Sequence, residues 1–327
     1  MARREPKKIL VIKLSALGDF VLALSAMKKI REAHPGAHIT LLTTPPFESL
    51  ARSSPYFDAV ETDGRAQGIG QWLALLSRLR KARYDRVYDL QTSSRSSMIF
   101  YGLQFSAPEW SGIAIGASHP HRNSRRDLMH TLERQADQLK HAGIWPDAPT
   151  QPSGAPPPDL SWILDKAPKE RQPAGARRPT VLLIPGGAAH RLDKRWPAEL
   201  YGQLAKALYA EGYDILIIGG PQEGEIARQI QRGLSQARDL TGRTDFAQIG
   251  LLGARAALVI GNDTGPLHLA AAAGAPTIVL FSKASDPALS APRGHVTVLQ
   301  ADDLAKLPVE SVVQAAKSLR PAPVRTA

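Results

Sequence analysis

The sequence contains no cysteine. That excludes disulfides, thiolate metal centres and cysteine nucleophiles, and it fits a reducing compartment. A long uninterrupted apolar run is also missing. The basic start followed by an apolar stretch is broken by Lys13 and Asp19, so no signal-peptide core forms. The most apolar later run, residues 267–281, is interrupted by His268, Gly274 and Pro276 and is too short to cross a bilayer. The expectation is a soluble cytoplasmic protein, with peripheral attachment at the inner membrane left open. Several chemical signatures are absent as well: GxxxxGK[ST], GxGxxG after a strand, HExxH, a clustered His/Cys set for zinc, and a DxD-type acidic pair. Their absence argues against P-loop kinases, common dinucleotide dehydrogenases and zinc hydrolases. No metal site is expected.

What is present is an ordinary globular composition, 327 residues with 43% hydrophobic and 22% charged, enough for two domains of normal size. Basic residues outnumber acidic ones, 41 to 30, for a formal net charge of +11. Such a balance favours anionic partners: nucleic acid, an acidic lipid surface or a phosphorylated substrate. The competing interpretation is a solvated basic surface. The basic residues are mostly scattered and no nucleic-acid motif appears, so nucleic acid is not the expected partner. A monomer is expected.

Short apolar runs alternate with amphipathic stretches. Residues 9–12, 39–42 and 86–90 read as strands, and residues 20–31, 71–82 and 129–142 as helices, the last ended by Gly143. From Trp145 to Pro179 prolines crowd the chain and the alternation dissolves. It restarts with strands at 180–184, 214–218, 257–260 and 277–281, and helices at 197–211, 223–234, 266–273 and 309–319. Pro197 is expected at the first helical position. The pattern predicts an α/β protein of two doubly wound, Rossmann-like domains facing across a cleft: residues 1–160, a proline-rich linker at 161–179, and residues 180–327. Ligands of open parallel sheets bind beyond the carboxyl ends of the strands, so the loops after strands hold the candidates.

Four loops stand out. Gly261-Asn262-Asp263-Thr264-Gly265-Pro266 precedes a helix, whose free amides and dipole favour a phosphate. Thr264 adds a hydroxyl. Asp263 would repel a phosphate and suits sugar hydroxyls or backbone amides better. The same residues are also good helix caps whatever the ligand, and His268 one turn later equally reads as a buried polar residue. The loop after Ile184 carries Gly186, Gly187, Lys194 and Arg195, whose cations suit a departing diphosphate; alone they would be a solvated basic pair. Glu223, after Gly219-Gly220-Pro221-Gln222, suits ribose hydroxyls or the start of the next helix. Asp19, after Lys13-Leu14-Ser15-Ala16-Leu17-Gly18, is a helix cap or a general base for a sugar acceptor.

Taken together, residues 9–13 with Leu17-Gly18-Asp19, the segment Asp193-Lys194-Arg195-Trp196-Pro197, and Gly261-Asn262-Asp263-Thr264-Gly265-Pro266-Leu267-His268-Leu269-Ala270 resemble glycosyltransferase family 9, which contains the ADP-heptose:lipopolysaccharide heptosyltransferases. The resemblance runs over roughly residues 8–295 and is weakest between about 105 and 178. It implies a GT-B architecture, with the acceptor mainly on the first domain and the donor on the second. It further implies inverting transfer with no required metal or cofactor, a nucleotide-sugar donor that is ADP-linked, and a lipid-linked oligosaccharide acceptor. By motif position it implies Asp19 as catalytic base and Lys194 as the group that stabilises the departing diphosphate. Glu223 falls near the donor ribose, and Asp263, Thr264, Gly265 and His268 form the donor loop. Residues 112–126, rich in His and Arg, are a candidate acceptor segment without a residue-level match, and residues 146–179 match nothing in the family. The alternatives kept beside this are a same-fold transferase or epimerase using another nucleotide sugar, and a non-catalytic basic nucleotide- or nucleic-acid-binding protein.

Overall fold

The structure, a computed structural model, describes residues 5–104, 108–165, 178–187 and 191–319. Residues 166–177, the greater part of the expected linker, lie outside the described residues, as do Ala188, Ala189 and His190 of the Gly-rich loop. The chain divides into two compact units, Met1–Pro158 and Asp159–Ala327.

The first unit runs β1 (Lys8–Ile12), α1 (Leu17–Ala33), β2 (His38–Leu42), α2 (Glu48–Ser53), β3 (Ala59–Glu61), α3 (Gly68–Ala82), β4 (Arg86–Asp89), α4 (Ser94–Leu103), β5 (Glu109–Gly112), β6 (His119–Pro120) and α5 (Thr131–His141). Its six strands are all parallel, in the order β3-β2-β1-β4-β5-β6. The order reverses between β1 and β4, so the loops after those two strands open at the switch point. Four of the five β1 residues are buried, because parallel strands covered by helices on both faces must be apolar on both faces. Leu10 and Ile12 pack with Leu75, Leu79, Val87, Ile99 and Trp110 in one core. On α1, Phe20, Val21, Leu22, Leu24, Met27 and Ile30 are all buried. The helix packs against α5.

The second unit repeats the plan with α6 (Trp162–Asp165), β7 (Thr180–Ile184), α7 (Ala198–Ala210), β8 (Asp214–Ile217), α8 (Gly224–Gly233), β9 (Arg238–Asp239), α9 (Phe246–Arg255), β10 (Leu258–Asn262), α10 (Gly265–Ala272), β11 (Thr277–Ser282), α11 (Pro287–Ser290), β12 (Val296–Ala301) and α12 (Val309–Ser318). Its strands are again all parallel, in the order β12-β11-β10-β7-β8-β9. Here the reversal falls between β7 and β10. Val181, Leu183, Ile215, Ile217, Leu258, Ile260, Ile278 and Leu280 meet Tyr201, Leu204 and Leu208 of α7 and Val312 of α12 in one core. Truncating Leu183 to alanine would cost about 2–5 kcal/mol.

Helix ends follow the sequence closely, with local corrections. Gly143 and Gly274 take positive φ, +77° and +95°, one residue past their helices' C-caps, where a side chain would be strained. Pro197 is the N-cap of α7 rather than its first residue, because its ψ of 140° is extended. The segment starting at Trp162 is ordered as α6, which packs on α9.

Candidate active site

In the second unit the site starts from a close approach of two strands. Gly261 pairs with Ile184 across β10 and β7. A Cβ at Gly261 would meet the Ile184 carbonyl oxygen at 2.5 Å and Leu267 Cδ1 at 3.0 Å, so only glycine fits. Asn262, fully buried, then ties the two strand-end loops together. Its Oδ1 accepts the Trp196 N–H and the Tyr201 hydroxyl, both at 3.0 Å, and its Nδ2 donates to the carbonyls of Pro185 at 2.8 Å and Gly186 at 3.1 Å. A buried amide with four bonds is a structural staple. Its sequence position suggested a cap, but its four bonds go to the loop after β7 and to α7, not to the start of α10.

Asp263 is the hub. Its Oδ2 accepts Lys194 Nζ at 3.0 Å and the Ser285 hydroxyl at 2.8 Å, and its Oδ1 lies 3.4 Å from His268 Nε2. Burial alone would raise its pKa, but the bonds from His268 and Lys194 outweigh that and hold the carboxyl down to about 2. The carboxylate thus fixes Lys194 at the end of the short turn Leu192–Lys194. His268 is 4% exposed and its Nδ1 has no partner among the described residues. It braces Asp263 from α10.

Thr264 separates the ligand-loop and helix-cap interpretations. It occupies the N-cap of α10 in extended backbone, yet its side chain makes no capping bond. Its Oγ1 is buried and without a partner among the described residues. A cap would have engaged that hydroxyl. Gly265 opens the helix, and Pro266 has no amide to offer. Beside them Gly187 leaves room: a Cβ there would stand 3.4 Å from Arg195 and 3.8 Å from Thr264 Cγ2.

Glu223 lies apart from this hub. It is 3% exposed. Its Oε2 accepts the Gly220 N–H at 2.7 Å and its Oε1 stands 3.8 Å from Arg195. These are the contacts of a residue that steadies a helix start. Its Cγ comes within 3.0 Å of where a Gly186 Cβ would be, so it borders the same Gly-rich loop. Ser285 has no sequence signal; only the fold brings it, 22 positions on, to Asp263.

In the first unit Asp19 is half-buried in the first turn of α1, with the Ala16 N–H 3.4 Å from its Oδ2. Lys13 and Arg134 both feel its charge. Lys13 is 4% exposed with Nζ 3.4 Å from the Leu90 carbonyl. Burial pulls its pKa down to about 8, and pushes that of Asp89, at the end of β4, up to about 6. Between the switch-point loops opens a cavity of about 270 Å³ lined by Leu14, Arg65, Gln91, Ser93 and Arg95. Gln91 Oε1 accepts the Leu14 and Ser15 N–H groups, and Arg65 bonds the Ser15 hydroxyl. Arg126 reaches the Thr92 hydroxyl at 3.2 Å. The sequence singled out Arg126 only as the end of the acceptor segment and missed Arg65, Gln91 and Arg95, which belong to no motif.

Known proteins carry the same plan. The sequence matches the family described as Glycosyltransferase family 9 (heptosyltransferase) over residues 72–312. It is 27% identical over 303 residues to lipopolysaccharide heptosyltransferase 2 of Salmonella typhimurium, covering 88% of this chain and 86% of that one. Among solved structures, E. coli ADP-heptose lps heptosyltransferase II superposes with a TM-score of 0.79 at 24% identity, covering 95% of this chain and 98% of that one. E. coli heptosyltransferase WaaC with ADP superposes with a TM-score of 0.73 at 21% identity, covering 95% and 99%. Likeness at these identities shows the fold, the GT-B architecture of two Rossmann-like domains.

Proposed function

The chain belongs to glycosyltransferase family 9, and we propose that it moves a heptose from ADP-heptose onto a lipopolysaccharide core acceptor with inversion. In this reading Asp19 takes the proton of the acceptor hydroxyl. The acceptor oxygen bonds the anomeric carbon from the face opposite the nucleotide, and the bond from that carbon to the diphosphate oxygen breaks, releasing ADP. Lys194, the Thr264 hydroxyl and the Gly265 amide at the positive end of α10 neutralise the charge that builds on the diphosphate, with no divalent ion required there. Asp263 holds Lys194 in place and offers an oxygen to the sugar, and His268 fixes Asp263. Glu223 borders the ribose from the β8 side. Residues 1–160 carry the acceptor, residues 180–327 the donor, and 161–179 join them.

The observation that carries the reading is the buried Thr264 hydroxyl at the start of α10, without a partner among the described residues, in the loop whose preceding residue fixes Lys194. Support for the donor comes from solved relatives named for ADP-heptose or holding ADP. For the acceptor it comes from those named for lipopolysaccharide. No helix among the described residues is long and apolar enough to cross a membrane. Exposed Ile69, Leu73, Met98 and Tyr101 on α3 and α4, with a chain charge of +11, support peripheral contact with an anionic leaflet by a monomeric enzyme.

A thermal-shift panel of ADP, UDP, GDP and their sugars tests the donor assignment, because a ligand that binds the folded state raises its melting temperature by mass action. ADP and ADP-heptose are expected to give the largest shifts, unchanged by EDTA. A larger shift with UDP or GDP would overturn the assignment.

A further inference from the structure

The first unit holds a second cluster of ligand-capable groups, away from the residues given roles above. His121 follows β6 at the sheet edge, its backbone N–H bonded to the Gly112 carbonyl at 2.8 Å. Asp137 and His141 lie four residues apart on α5 and so share a helix face. One nitrogen of each imidazole and one carboxylate oxygen of Asp137 all lie within 4.8 Å of one another. No local pattern marks this cluster, because 16 residues separate His121 from Asp137. The expected absence of a clustered ligand set rested on local spacing alone.

We propose that His121, Asp137 and His141 form a site for a borderline transition-metal ion of the zinc class, with water completing a tetrahedron. Four features support it. The two inner ligands are prearranged, with His121 Nε2 and Asp137 Oδ2 2.8 Å apart and side chains 0% and 8% exposed. His121 Nδ1 is buried without a partner among the described residues, so no second bond fixes the proton position on that ring. The third ligand, His141, is 43% exposed and gives an ion both an entry path and an adjustable arm. Outer support also exists: Asn123 Nδ2 donates to Asp137 Oδ2 at 2.8 Å, as groups around metal-bound carboxylates do.

Ligand atoms around tetrahedral zinc at about 2.0–2.2 Å sit roughly 3.4 Å apart. Binding asks the exposed His141 to close in and the 2.8 Å contact of His121 with Asp137 to open by roughly 0.6 Å. Two imidazoles and one carboxylate offer too few oxygens for magnesium or calcium and suit an ion that prefers nitrogen ligands. A metal here would clamp the end of β6 to α5. It would thereby pin the intervening segment, from which Arg126 reaches the Thr92 hydroxyl.

The test uses the full chain without an affinity tag, stripped with a chelator, then titrated with ZnCl2, CoCl2 or MgCl2. One equivalent of zinc is expected to bind and raise the melting temperature, cobalt to give a visible d–d band, and magnesium to do neither. His141→Ala, at an exposed position, should keep the metal-free melting temperature but weaken cobalt binding at least about 10-fold, and Asn123→Ala should weaken it about 10–100-fold. Failure of zinc to raise the melting temperature, or an undiminished response in His141→Ala, would overturn the site. The readout is metal binding, so it stands or falls independently of the transfer reaction.

Discussion

The two units share one strand order but treat their switch-point loops differently. In the second, the loops after β7 and β10 are locked together by Asn262 and by the ion pair of Lys194 with Asp263. Among the described residues three buried polar atoms there have no partner, Thr264 Oγ1, Arg195 Nε and His268 Nδ1. In the first, the loops after β1 and β4 leave an arginine-lined cavity open above a buried lysine and a buried aspartate, both held away from their usual pKa values by burial. A preorganised, rigid loop suits a ligand of fixed shape such as a nucleotide diphosphate. An open basic cavity suits a larger and more variable anion. Fold alone does not assign these roles; the bonding state of the loops is what supports the proposed ones.

The comparison breaks first at Asp19. If the first unit supplies the base, Asp19→Ala should lower kcat by about 10²–10⁴-fold while the ADP-induced thermal shift stays as in the wild type. Strong residual transfer would remove Asp19 from that role. Lys194→Ala should lower kcat by about 10²–10³-fold and weaken ADP binding as well. A wild-type rate at saturating donor would reduce Lys194 to ground-state binding.

The lock itself can be measured. Asn262→Ala leaves the Trp196 N–H and the Pro185 and Gly186 carbonyls without their partner, at a cost of about 3 kcal/mol in urea unfolding. Asp263 gives a smaller, pH-dependent contribution. Its folded pKa of about 2 is below the usual 3.8, so the pair stabilises the fold fully above about pH 4 and the contribution is lost as pH falls through 2. Comparing wild type with Asp263→Asn along that range should show a difference of about 2 kcal/mol at pH 6 that vanishes near pH 2. A constant difference across the range would mean that the charge is not responsible. The smallest expected effect is Thr264→Val, which should weaken ADP binding about 10-fold and leave stability unchanged, because the hydroxyl has no partner among the described residues. A drop in stability would return Thr264 to a capping role.

Much of this was legible in the sequence. The switch-point strands announce themselves by short apolar runs, and in the second unit these lead into glycine, at Gly186-Gly187 after Pro185 and at Gly261 after Ile260. The elements β3, β5, β6, β9 and β12 did not: the first four have two to four residues, few for a period to register, and β12 is only partly buried and mixes polar residues into its run. Within the site, Lys194, Asp263 and His268 were found by pattern, and the fold puts them in contact. Ser285, Arg65 and Gln91 join through long-range packing and leave no local trace. Glu223 was read as either a ribose acceptor or a helix stabiliser, and its bond to the Gly220 N–H is the second of these. The His121, Asp137 and His141 cluster escaped entirely, since its members meet only when β6 lies against α5.

The most direct measurement is ADP release from ADP-heptose by the purified chain, with and without heptose-deficient lipopolysaccharide, in the presence of EDTA. Release that depends on the acceptor, with the new glycosidic bond of inverted configuration and no loss of rate to the chelator, is the expected result. ADP release independent of acceptor, or no release from ADP-heptose at all, would contradict the assignment.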